Sequence, residues 1–311
     1  MHPSSALSRR ISTPMLAAVV AVVLWGIGPL FVKASDLPGF TVALYRLLIG
    51  GALMTALLYA RGGRLRGEAF RASLPGGVAF GVNILFFFTA VKLTSVADAT
   101  IISALQPAFL LLLVGPLFGE KVRLAVVAWT AIALGGVALV VYGAGAGTRT
   151  LLGDLLAVGA LLTWVWYFVA SKQARARIGA LEYQASLLLV STAVVLPVIA
   201  LSDNPLVLRE PRHLAVCVAV AVVPGGGHLL MNYAHGQIKL TVASLLTLAT
   251  PVVATVGAAA FLSESIRPLQ IVGGLIVLTS LAVVILRMAQ TRVVAPDDPA
   301  PDLEPDQAVV P

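Results

Sequence analysis

Apolar residues run along this chain in blocks of about twenty, each closed by a short polar, glycine or proline break, almost from end to end. Ten such blocks fit, at 13–34, 39–60, 73–92, 96–119, 123–143, 152–172, 181–201, 212–234, 241–262 and 267–288. They lack the strict alternation of barrel strands, and in hydrocarbon each backbone amide needs a partner within its own segment, so helices are expected. The pattern is also written twice. ATIISALQPAFLLLLVGPLFGEKVRL, from Ala99, is echoed by ASLLTLATPVVATVGAAAFLSESIRP, from Ala243, so that Pro107 matches Pro251, Glu120 matches Glu264 and Arg123 matches Arg267 at one offset of 144 residues. Trp25 and Lys33 likewise have the spacing of Trp164 and Lys172. A duplicated set of proline-broken membrane helices is the footprint of a secondary transporter, with its site between the halves near the bilayer midplane.

Composition sharpens this. Mean hydropathy is +0.97 and 11% of residues are charged, against about 25% in soluble domains; the bilayer must solvate most of the chain. The net charge of +7 does not mark a nucleic-acid binder, because lysines and arginines cluster in loops on one side. With the N-terminus in the cytoplasm, fourteen of the 21 fall on the inner side and six on the outer, leaving Arg46 inside a span. Five spans per half then give the halves opposite orientation. The expected organisation is a basic cytoplasmic tail (1–12), a first five-helix repeat (13–143), a linker (144–151), a second repeat (152–288) and a disordered, acidic, proline-rich cytoplasmic tail (289–311). The first block is too long for a secretory leader and reads as a retained helix. Cys217 is the one cysteine and sits in an apolar run, so neither disulfides nor a Cys/His metal site is expected.

Within the spans, polar side chains are few enough to name. Arg46 lies about 10 Å inside helix two at 1.5 Å per residue; a charge there is costly unless paired or hydrated, which makes it a site candidate that favours an acidic substrate group. It also has a structural alternative, snorkelling or tying down helix-end carbonyls. Pro224, His228, Asn232 and His235 share one face of helix eight, beside the run Gly225-Gly226-Gly227. His228 is the group there that could titrate, and interhelical hydrogen bonding is the alternative role. Asn83 sits at a comparable depth in the first half. Gln106 and Thr250 precede Pro107 and Pro251, which are expected to act as hinges or kinks. Trp25 and Trp164 lie too deep to be interfacial anchors and, with Trp166 and Tyr167, are candidate walls. Glu120 and Glu264 fall where one span ends and the next begins, and capping of the following helix is the simpler role. Asp98 and Asp154 read the same way.

The ten spans, the duplicated proline-then-glutamate helices, the Trp25-Gly26 start and the Tyr45-Arg46 pair resemble EamA-type permeases of the drug/metabolite transporter superfamily. The resemblance covers about 13–288 and implies an all-α bacterial inner-membrane carrier of two inverted five-helix repeats, with a cavity built from helices 1, 3, 4, 6, 8 and 9. By position it places Trp25, Asn83, Gln106, Trp164, His228, Asn232 and Thr250 on cavity helices and Arg46 outside that core set. The implied partners are a small-molecule substrate and the lipid bilayer, with no nucleic acid, no cofactor and a homodimer left open. The leading function is alternating-access transport of a small polar or amphipathic metabolite, with export of amino-acid-like compounds as its expected form. Multidrug export is the first alternative, disfavoured by the positive deep charge. An integral-membrane enzyme or a scaffold is the second, the former lacking a clustered nucleophile, histidine and carboxylate.

Overall fold

The computed structural model describes residues 12–33, 36–93, 102–144, 150–202, 206–263 and 265–290. Asp98, Glu264, most of the GAGAG linker and nearly all of both tails lie outside these. Every regular element among the described residues is helical: α1 Thr13–Lys33, α2 Gly39–Ala60, α3 Gly67–Leu93, α4 Gln106–Phe118, α5 Leu124–Ala144, α6 Leu151–Arg175, α7 Ala180–Ala200, α8 Pro211–His235, α9 Leu240–Leu246, α10 Thr250–Leu262 and α11 Pro268–Gln290. A 3-10 turn, Thr247–Ala249, joins α9 to α10 into one crossing. Eight stretches are long and apolar enough to span a bilayer, and two shorter apolar helices, Thr13–Gly28 and Ile102–Phe118, complete ten.

The halves interleave. Helix α1 packs along α8, while α3, the counterpart of α8, packs along α6, the counterpart of α1. Helix α2 lies on α7, and α5 on α11, its own counterpart. The fold is therefore ten membrane helices in two inverted five-helix repeats, each burying its faces against the other.

Lipid tails are as apolar as leucine, so close backbone approach between small residues does much of the work of holding such helices together. The tightest approach joins α5 to α11: a Cβ added at Gly136 would lie 2.8 Å from the Gly273 carbonyl oxygen, and one at Gly273 would lie 2.5 Å from that of Gly136. On α8, Gly227 leaves room for Trp25, whose Nε1 an added Cβ would approach to 3.0 Å.

Three expectations change in detail. Helix α3 begins at Gly67, six residues earlier than the apolar pattern indicates, because Glu68 in its first turn suits a helix N-terminus and the helix continues beyond the apolar core. The prolines do not kink continuous helices. Pro107 and Pro251 sit in the first turn of α4 and α10, where the missing N–H would have no intrahelical partner anyway. Glu120 caps a helix, but not the one that follows it. Gly119 turns the chain in the left-handed region (φ 64°). The Glu120 carboxylate then accepts from the backbone amides of Leu240 (2.7 Å) and Thr241 (3.2 Å) and from the Thr241 hydroxyl (2.6 Å), closing the N-terminus of α9 in the other repeat. Lys172 Nζ donates to the Ile238 carbonyl 2.6 Å away and secures the same loop.

At the opposite end Asp36, between α1 and α2, accepts from His213 (3.0 Å) and Arg212 (3.2 Å) at the start of α8. A backbone hydrogen bond, then Arg212 and His213, hold its carboxyl below the usual carboxylate range. This tie is complete at neutral pH and is lost as acid protonates Asp36.

Two outcomes test this packing. Gly273→Leu should destabilise the protein in thermal melts by about 1–3 kcal/mol through overpacking, whereas Gly135→Leu, which meets nothing within 4 Å, should be tolerated. Glu120→Ala should cost about 1–2 kcal/mol as a lost cap and should speed hydrogen exchange at the Leu240 and Thr241 amides selectively.

Candidate functional site

Where α2, α3, α6 and α8 converge, beside α1, the candidates Trp25, Arg46, Trp164, Tyr167, His228 and Asn232 meet. Arg46, seven residues into α2, points inward and donates from a guanidinium nitrogen to His228 Nε2 at 2.8 Å, with its Cζ 5.6 Å from the Phe80 ring centroid. The two residues are 182 apart in sequence and come from different repeats. An uncompensated arginine at mid-helix costs about 2.5–3.5 kcal/mol on insertion scales. The hydrogen bond and the ring face beneath it, the latter worth about 0.5–2 kcal/mol, offset most of that.

Aromatic rings enclose the pair. Trp25 and Phe80 each lie 4.8 Å from the His228 ring, Trp164 lies 5.8 Å from it, and Trp25 meets Trp164 edge-on at 5.6 Å. Behind His228 a polar chain continues. Its Nδ1 is 3.2 Å from the Tyr167 hydroxyl, which donates to Asn232 Oδ1 (3.3 Å), and Asn232 Nδ2 donates to Gln184 Oε1 at 2.6 Å. Arg175 Nε holds the Asn232 carbonyl at 2.8 Å, and Ser171 meets the Tyr183 hydroxyl at 2.8 Å. His228, Asn232, Tyr167 and Gln184 are buried, whereas Trp25, Arg46 and Trp164 keep partial accessibility. The arrangement is a partly buried cation and two indoles in front of a buried, hydrogen-bonded polar wall.

The other candidates lie apart from this centre. Asn83 donates to the Ala160 carbonyl at 2.7 Å and joins α3 to α6. Gln106 accepts from Thr247 Oγ1 at 3.1 Å, linking the break before α4 to the break after α9. Its buried Nε2 has no hydrogen-bond partner among the described residues. The Thr250 carbonyl lies against Gly26, where an added Cβ would come within 3.1 Å of it. Trp166 is 48% exposed and faces outward, away from the walls expected of it. Sequence reasoning overlooked Phe80, Gln184 and Arg175. Gln184 stood in plain view as a polar residue early in an apolar span; Phe80 carries no signal among so many apolar neighbours. No cluster of histidine, cysteine and carboxylates able to hold a metal occurs among the described residues.

This centre, shared by two inverted repeats, can be set beside known proteins. Over 272 residues the chain is 25% identical to the probable terminal-alkyne amino-acid exporter of Streptantibioticus cattleyicolor, covering 85% of this chain and 91% of that protein. It is 32% identical over 174 residues to the aromatic amino acid exporter YddG of Ancylobacter novellus, covering 52% of this chain and 59% of the relative. A solved crystal structure superposes with a TM-score of 0.77 at 24% identity, over 91% of this chain and 99% of the other, and so shares the fold. The model of the EamA-like transporter family matches twice, at residues 12–142 and 151–286. With both repeats matched, the chain belongs to the EamA-like transporter family, and is by that membership a transporter and not an enzyme.

Proposed function

We propose that this protein is an alternating-access carrier that exports a small amphipathic metabolite of the amino-acid class, binding it against Arg46, His228 and Asn232 between the indoles of Trp25 and Trp164. The observation that carries the reading is the Arg46–His228 contact inside an aromatic enclosure at the repeat interface. A cation with a polar wall suits the charged end of such a molecule, and the rings suit its apolar part. Two relatives named as amino-acid exporters support the class. The lysine and arginine asymmetry of the loops supports cytoplasmic termini, the membrane is taken as a bacterial inner membrane, and the repeats are taken as 13–143 and 152–288. In this reading Pro107 and Pro251 mark the hinge points, because each follows an interruption in its crossing. Asn83, Gln106 and Thr250 line the route flanking the centre. Lipophilic cations fit poorly, since the acidic side chains among the described residues (Asp36, Glu68, Glu120, Asp154, Glu182 and Glu210) lie at helix ends and in loops and none is placed to receive one.

Thermal shift of the purified protein separates the classes, because a ligand that binds the folded state raises its melting temperature. Amino acids should raise it and lipophilic cations should not; a shift confined to the cations would favour multidrug export. In liposomes loaded with an amino acid that shifts the melt, His228→Ala should slow efflux about ten- to a hundredfold, the worth of a lost hydrogen bond to a charged group. Unchanged efflux with normal insertion would remove His228 from the site.

A further inference from the structure

The hydrogen bonds around His228 run in one direction only. A guanidinium has five donors and no acceptor, so the Nε2 atom 2.8 Å from Arg46 must present a lone pair. The imidazole is then neutral with its proton on Nδ1, donated to the Tyr167 oxygen. The Tyr167 O–H passes to Asn232 and the Asn232 amide to Gln184. Every member of the chain has a fixed role. Arg46 meanwhile has no carboxylate among the described residues to accept from it, and an imidazole lone pair occupies the position where a carboxylate would give two acceptors in the fork geometry that guanidinium prefers.

From this the geometry points to a carboxylate site at Arg46 and His228 that takes up one proton from water for each carboxylate bound. It rests on the reading that this polar centre holds the substrate. The entering carboxylate replaces imidazole as the acceptor for Arg46. His228 Nε2 then faces an anion, loses its former donor and gains a proton, so that the two side chains clamp one carboxylate from both sides. Nδ1–H stays on Tyr167 throughout, and the polar wall need not rearrange.

Among the described residues no negative charge faces His228, which leaves the ligand to supply the compensating charge. Facing His228 are Trp25 from α1, Arg46 from α2, Phe80 from α3 and Trp164 and Tyr167 from α6. His235 lies two turns along α8 and rests against Phe168. Gln184 joins the network from α7 and Arg175 holds it through the Asn232 carbonyl, while Tyr183 meets Ser171 and Lys172 donates to the Ile238 carbonyl. These are neutral or cationic, so a second positive charge on His228 next to Arg46 becomes tolerable only once an anion sits between them. The carboxylate and its proton therefore travel together, and amides of the same compounds are not held. Affinity should weaken about tenfold per pH unit on going alkaline.

Nitrogen-15 NMR of the full chain in nanodiscs, labelled at histidine, reads this directly, with acetate as the probe. Without acetate, His228 should show a pyrrole-like Nδ1 and a pyridine-like Nε2; acetate at constant pH should convert both to the protonated signature. The signal is assigned by its loss in His228→Asn or, should that variant misfold, by elimination with His2→Asn, His213→Asn and His235→Asn. Arg46→Gln should abolish the acetate response, and Arg46→Lys should weaken it. The clamp is overturned if His228 keeps its neutral signature with acetate and with every amino acid that liposomes show to be transported, or if Arg46→Gln responds as fully as the natural chain. Transport of amino acids without a His228 response removes the clamp alone. A His228 response in a protein that moves no amino acid keeps the clamp and removes the amino-acid reading.

Discussion

Neither repeat of this protein can bury its faces alone, and most of the structure follows from that constraint. With no water in the hydrocarbon to drive apolar faces together, helices associate through close packing and internal hydrogen bonds. Exchange of partners between the halves supplies both. Helix α1 finds α8, α3 finds α6, and α5 and α11 meet at paired glycines. The interface between the halves is consequently the interior of the molecule, so polar groups that must avoid lipid collect there. The Arg46–His228 contact is a product of this interleaving, since its members belong to different repeats and have no route to each other within one.

Much of the architecture was legible in the chain because crossing a bilayer is a constraint on local composition. The expected spans at 13–34 and 39–60 match α1 Thr13–Lys33 and α2 Gly39–Ala60, and the offset of 144 residues exposed the repeat before any helix was placed. Where boundaries moved, as at Gly67 and at Arg175, the helix continues past the hydrocarbon on charged residues, which an apolar pattern does not register. Breaks in helices four and nine were signalled by Pro107 and Pro251, although the prolines open the second segments instead of bending intact ones.

The candidate site was legible as residues but not as a constellation. Arg46, His228 and Asn232 stand out because polar groups are rare in spans. Their partners do not, since the chain says which residues are costly in lipid and not which distant group relieves the cost. The same holds for Glu120, whose role as a cap was readable but whose helix, 120 residues away, was not. In soluble proteins an amphipathic pattern indicates which side of a helix faces inward. Here lipid and protein interior are both apolar, so Phe80 and the outward-facing Trp166 look alike in sequence and differ only once packed.

The cap that Glu120 places on Leu240 and Thr241 also orders events during synthesis. The ninth crossing is short-runged at its start, seven residues of α-helix before a 3-10 turn, and its first amides are satisfied by a side chain made 120 residues earlier. By the time Leu240 emerges, Glu120 has already been made. Each half therefore carries part of the other's folding information, and splitting the gene between the repeats would separate a helix from the side chain that caps it.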